Sequence, residues 1–151
     1  MKFSILFQSA VVVASVLLVS TAGAKEANIK IAEGQEAKLS KPSRVFLAIT
    51  ADGAKTATET PPTILALRAG LTERKIEMKD GFPQDDASRK DAITMMLAVY
   101  SDTGFELIVL DSATDERLAK VGVPDGGQVL DTATAQKVVS QIFDKFFGPK
   151  G

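Results

Sequence analysis

Residues 93–110, ITMMLAVYSDTGFELIVL, constrain the fold of this chain more than any other stretch, because they join two apolar runs through Asp102-Thr103-Gly104. In the first run Ile93, Met95, Leu97 and Val99 fall on one face of an extended chain, with Thr94, Met96, Ala98 and Tyr100 on the other. In the second, Phe105, Leu107 and Val109 alternate with Glu106, Ile108 and Leu110. A pair this apolar belongs in the middle of a sheet, covered on one side and partly on the other. The connection predicts a short hairpin loop in which Asp102 makes a local side-chain bond and Gly104 supplies a positive φ, with room for a bulge.

The remaining elements arrange themselves around that hairpin. Residues 43–50, SRVFLAIT, read as the first core strand, with Val45, Leu47 and Ile49 on one face and Phe46 and Ala48 on the other. The small, polar loop 54–60 follows. Thr60 and Pro61 suit an N-cap and first helical position, and Ile64, Leu67 and Leu71 then recur at helical spacing. Gly70 weakens that helix by about 1 kcal/mol relative to alanine, so it depends on packing. Ile76 and Met78 alternate with charges as a half-exposed strand. After the hairpin, Arg117, Ala119, Val121 and Val123 share one face of a third meander strand, opposite Glu116, Leu118 and Lys120, and Pro124-Asp125-Gly126-Gly127 ends it. Asp131 or Thr132 caps the last helix, along which Ala135, Val138, Val139, Ile142, Phe143, Phe146 and Phe147 repeat at helical spacing.

The N-terminus has another purpose. Lys2, an apolar run from Phe3 to Val19 and Ala22-Gly23-Ala24 form the pattern of a secretory signal peptide, with cleavage expected after Ala24; the alternative is an uncleaved signal anchor, which Gln8, the interspersed serines and the A-x-A end disfavour. Removing 24 of 151 residues leaves 127, enough for one domain with a sizeable core. Residues 25–42 then form an arm or short edge strand, and 43–151 a single domain. Losing Lys2 takes the formal charge from −1 to −2. That balance offers no footprint for nucleic acid or an anionic membrane. The absence of cysteine removes both a disulfide framework and a lipid-attachment thiol, which suits the periplasm of a bacterium.

Composition excludes much chemistry. With neither histidine nor cysteine, the Ser-His-Asp and Cys-His arrangements and the usual zinc and haem ligands are missing. No S-x-x-K, G-x-x-x-x-G-K or G-x-G-x-x-G occurs. Asp102-Thr103-Gly104 resembles the active-site turn of aspartic proteases, but Tyr100 and Phe105 depart from that pattern and no second motif exists. The carboxylates Asp85, Asp86, Asp111, Asp115, Glu116 and Asp125 lack the spacing of a calcium loop and read as turn residues. Met78, Met95 and Met96 read as core rather than a soft-metal stripe. Segment 79–91, KDGFPQDDASRKD, is the most polar internal stretch and carries Phe82, Pro83 and Gln84 as candidate partner contacts. Phe82 either meets a partner or, the blander reading, folds back to cap the core. Phe143, Phe146 and Phe147 pose the same choice on the last helix, again with the core preferred.

Residues 105–121, FELIVLDSATDERLAKV, and the order strand, helix, strand, meander, helix resemble small exported envelope-assembly domains of the curli-secretion and penicillin-binding-protein-activator types. The same segment is similar to the closing strands of PepSY-type domains. This chain departs from the former in having no lipidated cysteine and from the latter in its long last helix. The resemblance implies a non-enzymatic role in the cell envelope through protein contact.

The expected architecture is therefore an α/β two-layer sandwich, a mixed sheet of about five strands with two helices on one face. The expected function is an exported accessory or adaptor protein that binds another envelope protein, with no cofactor, no metal and no membrane span after cleavage. A small-ligand or inhibitor module is the alternative, and a carboxylate hydrolase around Asp102 or Asp111 a remote third.

Overall fold

The apolar hairpin takes its place at the centre of a six-stranded mixed sheet in a computed structural model that describes residues 26–125 and 128–149. The leader read from residues 1–24 and the Gly126-Gly127 breaker lie outside those residues. In chain order the elements are β1 (Asn28–Ile31), α1 (Glu36–Ser40), β2 (Arg44–Ile49), α2 (Asp52–Lys55), α3 (Pro62–Glu73) and β3 (Glu77–Asp80). They continue with α4 (Asp86–Arg89), β4 (Ala92–Tyr100), β5 (Phe105–Asp111), β6 (Arg117–Val123) and α5 (Thr132–Phe147). The sheet order is β1-β6-β5-β4-β2-β3. β2 runs parallel to both β3 and β4, and every other pairing is antiparallel. The sixth strand comes from the N-terminal arm, where Ile29 pairs with Val121 and Ile31 with Ala119.

One face of this sheet carries the main core. Val45, Leu47, Ile93, Met95, Leu107 and Val109 cluster there with Leu67 and Leu71 of α3 and Val139, Ile142 and Phe143 of α5. The two helices meet where Gly70 faces Phe143, and a Cβ on Gly70 would lie 2.7 Å from the ring. The glycine that costs helix propensity is thus the one that lets the helices close. Arg74 stacks over the same ring at 5.6 Å and pairs with Asp144. α3 ends in a Schellman arrangement, with the Ile76 N–H donating to Leu71 O and the Lys75 N–H to Thr72 O. The left-handed position of that motif, ordinarily glycine, is held here by Lys75 at φ 59°.

Because β3 and β4 flank β2 on opposite sides, segment 81–91 must cross β2. The handedness of parallel crossovers sends it over the face away from α3, and on that face Phe46, Ala48 and Thr94 are all buried. Arg44 donates to Ser88 O and Arg89 to Ser112 O, which ties the segment down.

Several local expectations shift for identifiable reasons. The pairing register slips between Leu97 and Val99, so one extra residue reverses the alternation. Val99 thereby leaves the face of Ile93, Met95 and Leu97, pairs with Glu106 and stands exposed, while Tyr100 pairs with Phe105 and packs against the core. A second slip between Val109 and Leu110 turns Leu118 inward and leaves Arg117 outside. At α3 the start moves by one residue. Pro61 is extended because a proline follows it, and Pro62 takes the first helical position without a side-chain cap. Asp131 caps α5, its carboxylate accepting from the Thr134 N–H at 2.9 Å.

Candidate interaction surface

The parallel arrangement of β2, β3 and β4 brings their carboxyl ends to one end of the molecule, together with the β4–β5 turn, the loop after β6 and the starts of α3 and α5. Backbone bonds hold this end in shape. The N–H groups of Thr50 and Ala51 both donate to Leu97 O, at 3.1 and 3.0 Å, which leads the chain from β2 into α2. α2 abuts the end of β4, where a Cβ on Gly53 would lie 3.3 Å from Tyr100 O. Burial, and then the nearby charge of Asp102, hold the Tyr100 phenol above its ordinary pKa.

The hairpin turn is built differently from its sequence reading. Ser101, not Asp102, makes the local side-chain bonds, its hydroxyl accepting from the N–H groups of Thr103 and Gly104. Gly104 has no positive φ; it is required because a Cβ would lie 2.5 Å from Val123 O. The carbonyl of Asp102 accepts from the Leu130 N–H at 2.7 Å, and the Thr103 hydroxyl bonds the Asp125 carboxylate. The loop leading to α5 is therefore fastened to the turn.

What this end presents to solvent is distinctive. Asp52, Glu59, Asp102, Asp125 and Asp131 are all exposed, and Lys55 is the one cation in the described parts of the same loops. Among the described residues the large exposed hydrophobics are Leu65 (51%), Phe82 (44%), Val99 (55%) and Val129 (57%). Leu65 lies in the first turn of α3, Phe82 just beyond β3, Val99 near the end of β4, and Val129 beside the residue bonded to the hairpin turn. Apolar points set among carboxylates suit recognition of a cationic surface with apolar anchors.

Of the contact residues read from sequence, Phe82 belongs to this end and does not fold back to cap the core. Pro83 is half-buried and Gln84 exposed, its amide donating to Phe82 O at 3.1 Å. Phe146 is buried among core side chains and is not available to a partner, because the apolar stripe of α5 turns it onto the sheet. Phe147 is half-buried, tilted against Phe143 with ring centroids 5.3 Å apart. Both sit at the opposite end of the molecule from Phe82. The acidic residues weighed as calcium ligands are dispersed: Asp111 pairs with Lys38, Asp115 with Arg89, and Asp85 caps α4 through the Ser88 N–H. Met95 is buried, while Met78 and Met96 are half-buried in the sheet.

At the other end, near the starts of β2 and β4, lie two adjoining clefts of about 520 and about 530 Å³ that share Lys41 and Pro42. Lys75 lines the first and Lys90 the second.

No family model and no curated protein matches the chain. Solved structures similar to it in fold include two of PelC from Paraburkholderia phytofirmans, both described as dodecamers. A point-substituted form gives a TM-score of 0.50 at 9% identity, covering 83% of this chain and 99% of that one. The other form gives 0.50 at 8% identity, covering 80% and 96%. Likeness at such identity shows the fold. No helix of the described residues is long and apolar enough to cross a membrane.

Proposed function

We propose that this chain is exported to the cell envelope and works there by protein–protein contact, without catalysis, using the carboxyl end of its sheet as the contact surface. The observation that carries the reading is the placement of Leu65, Phe82, Val99 and Val129, the large exposed hydrophobics of the described chain, at one end beside five exposed carboxylates. Exposed apolar side chains are common singly, but several gathered at one end of a molecule and rimmed by charge mark a contact surface. The signal-peptide pattern and the lack of histidine and cysteine support the same reading from sequence.

The test is crosslinking from native envelopes with tagged protein, comparing wild type with a Phe82→Ser, Val99→Lys, Val129→Ser variant of unchanged melting temperature. Capture of a partner by wild type and its loss by the variant is expected, with the mature N-terminus at Lys25 by mass spectrometry. Equal capture by both would place the contact elsewhere. An intact Met1 would contradict cleavage.

In one form of this proposal the partner is a second copy of the chain itself. The PelC structures that share this fold are dodecamers, which favours contact between copies of this chain as the first interaction to measure.

A further inference from the structure

We propose that copies of this chain associate head to tail, the carboxyl end of one sheet seating on the lysine-lined clefts at the amino end of the next. The inference rests on the self-associating form of the function above and specifies its geometry. Its basis is that the chain carries two complementary ends. At the carboxyl end five exposed acidic residues face one lysine, with Phe82, Val99 and Val129 standing out as apolar anchors. At the amino end Lys41, Lys75 and Lys90 are exposed around two open clefts and make no ion pair among the described residues. The other charges lining those clefts are engaged except Asp91: Lys38 holds Asp111 at 3.2 Å, Arg74 holds Asp144, and Glu73 has a partner of its own. The unpaired balance at the clefts is thus cationic, opposite to that of the other end.

Charge decides the symmetry. Two carboxyl ends brought together would set five carboxylates against five, so a twofold contact through that end is opposed. A carboxyl end meeting an amino end brings unlike charges together and places apolar anchors against open clefts. Such a contact is heterologous: each copy keeps one end of each kind free, and the assembly grows until it closes as a ring or continues as a filament.

The experiment is a charge swap read by analytical ultracentrifugation. One variant carries Lys41→Glu, Lys75→Glu and Lys90→Glu; the other carries Asp52→Lys, Asp102→Lys and Glu59→Lys. All six positions are exposed, so circular dichroism and melting should match wild type. The expected result is that wild type sediments as an oligomer, each variant alone as a monomer, and the equimolar mixture as an oligomer again, because each reversed end now complements the other. Assembly of the wild type should also weaken as NaCl rises from about 0.05 to about 0.5 M, where screening shortens the reach of the charges. Variants that assemble like wild type would overturn the head-to-tail geometry while leaving self-association standing, and would turn attention to small anions in the clefts. Monomeric variants whose mixture stays monomeric would overturn the pairing of these two ends. A wild type that is monomeric at every concentration would remove self-association and this geometry together.

Discussion

The helix-covered face of the sheet and the carboxyl end of the same sheet follow opposite rules. On the covered face, Leu67, Leu71, Ile142 and Phe143 interlock with strand side chains and leave no exposed surface. At the carboxyl end Val99, Val129 and Phe82 are about half exposed or more, although the backbone beneath them is tightly bonded. The difference teaches that apolar content alone does not mark a core. What separates the regions is whether a second element of the chain is present to cover the side chains.

Substitutions should separate the two regions by the quantity they change. Phe143→Ala removes the ring at the α3–α5 junction and should cost roughly 3–5 kcal/mol in urea denaturation. A cost below about 1 kcal/mol would show that the junction collapses without penalty. Gly104→Ala tests whether the carboxyl end is rigid as well as exposed. Its Cβ would meet Val123 O at 2.5 Å, so a loss of about 1–3 kcal/mol is expected, and a neutral result would mean that this turn yields. Lys75→Gly should raise stability by about 1 kcal/mol, since glycine occupies the left-handed position without strain; a fall in melting temperature would give the lysine a folded-state contact of its own.

Asp131 gives a smaller, pH-dependent effect. The backbone N–H of Thr134, and then its hydroxyl, hold the Asp131 carboxyl below its ordinary pKa. The cap's contribution is therefore full above the unfolded aspartate value of about 3.9 and is lost as pH falls below it through the folded value. Asp131→Asn, which keeps an acceptor but no charge, should lower stability slightly at pH 7 and flatten the melting-temperature profile below about pH 4. An unaltered profile would assign the acid sensitivity to other carboxylates. The smallest stability change belongs to Val129→Ser, within about 0.5 kcal/mol, and a loss of several times that would move Val129 into the core.

Much of the covered face was legible in the sequence. The alternation in residues 43–50 and 105–110 and the helical spacing from Ala135 to Phe146 describe positions whose neighbours are set by local geometry. The facing of Val99 and Tyr100, just after Leu97, and of Arg117 and Leu118, just before Ala119, was not legible, because a bulge depends on how two strands register and leaves no mark on one strand read alone. The carboxyl end was hidden for a related reason. Asp52, Asp102, Asp125 and Asp131 are scattered along the chain, and only the parallel pairing of β2, β3 and β4 gathers their loops. One signal was present: the loop after β2, the hairpin turn and the loop after β6 carry acidic residues with hardly a lysine. Phe82 stood out in sequence, whereas Val99 was concealed by its apolar neighbours.

The edge strand β1 also sets an order of events. The β4–β5 hairpin closes across a four-residue turn, while Asn28 must find Gly122 across about 90 residues, a closure costing about 3 kcal/mol more in chain entropy. On entropic grounds the meander is expected to assemble before β1, which would leave the β6 edge bare until β1 pairs with it. Until then β6 offers an open row of backbone donors and acceptors, the kind of edge that other chains can pair with. Amide exchange should follow the same sequence in reverse, with Lys30 and Ala32, whose N–H groups face β6, opening first and Leu107 and Val109 last.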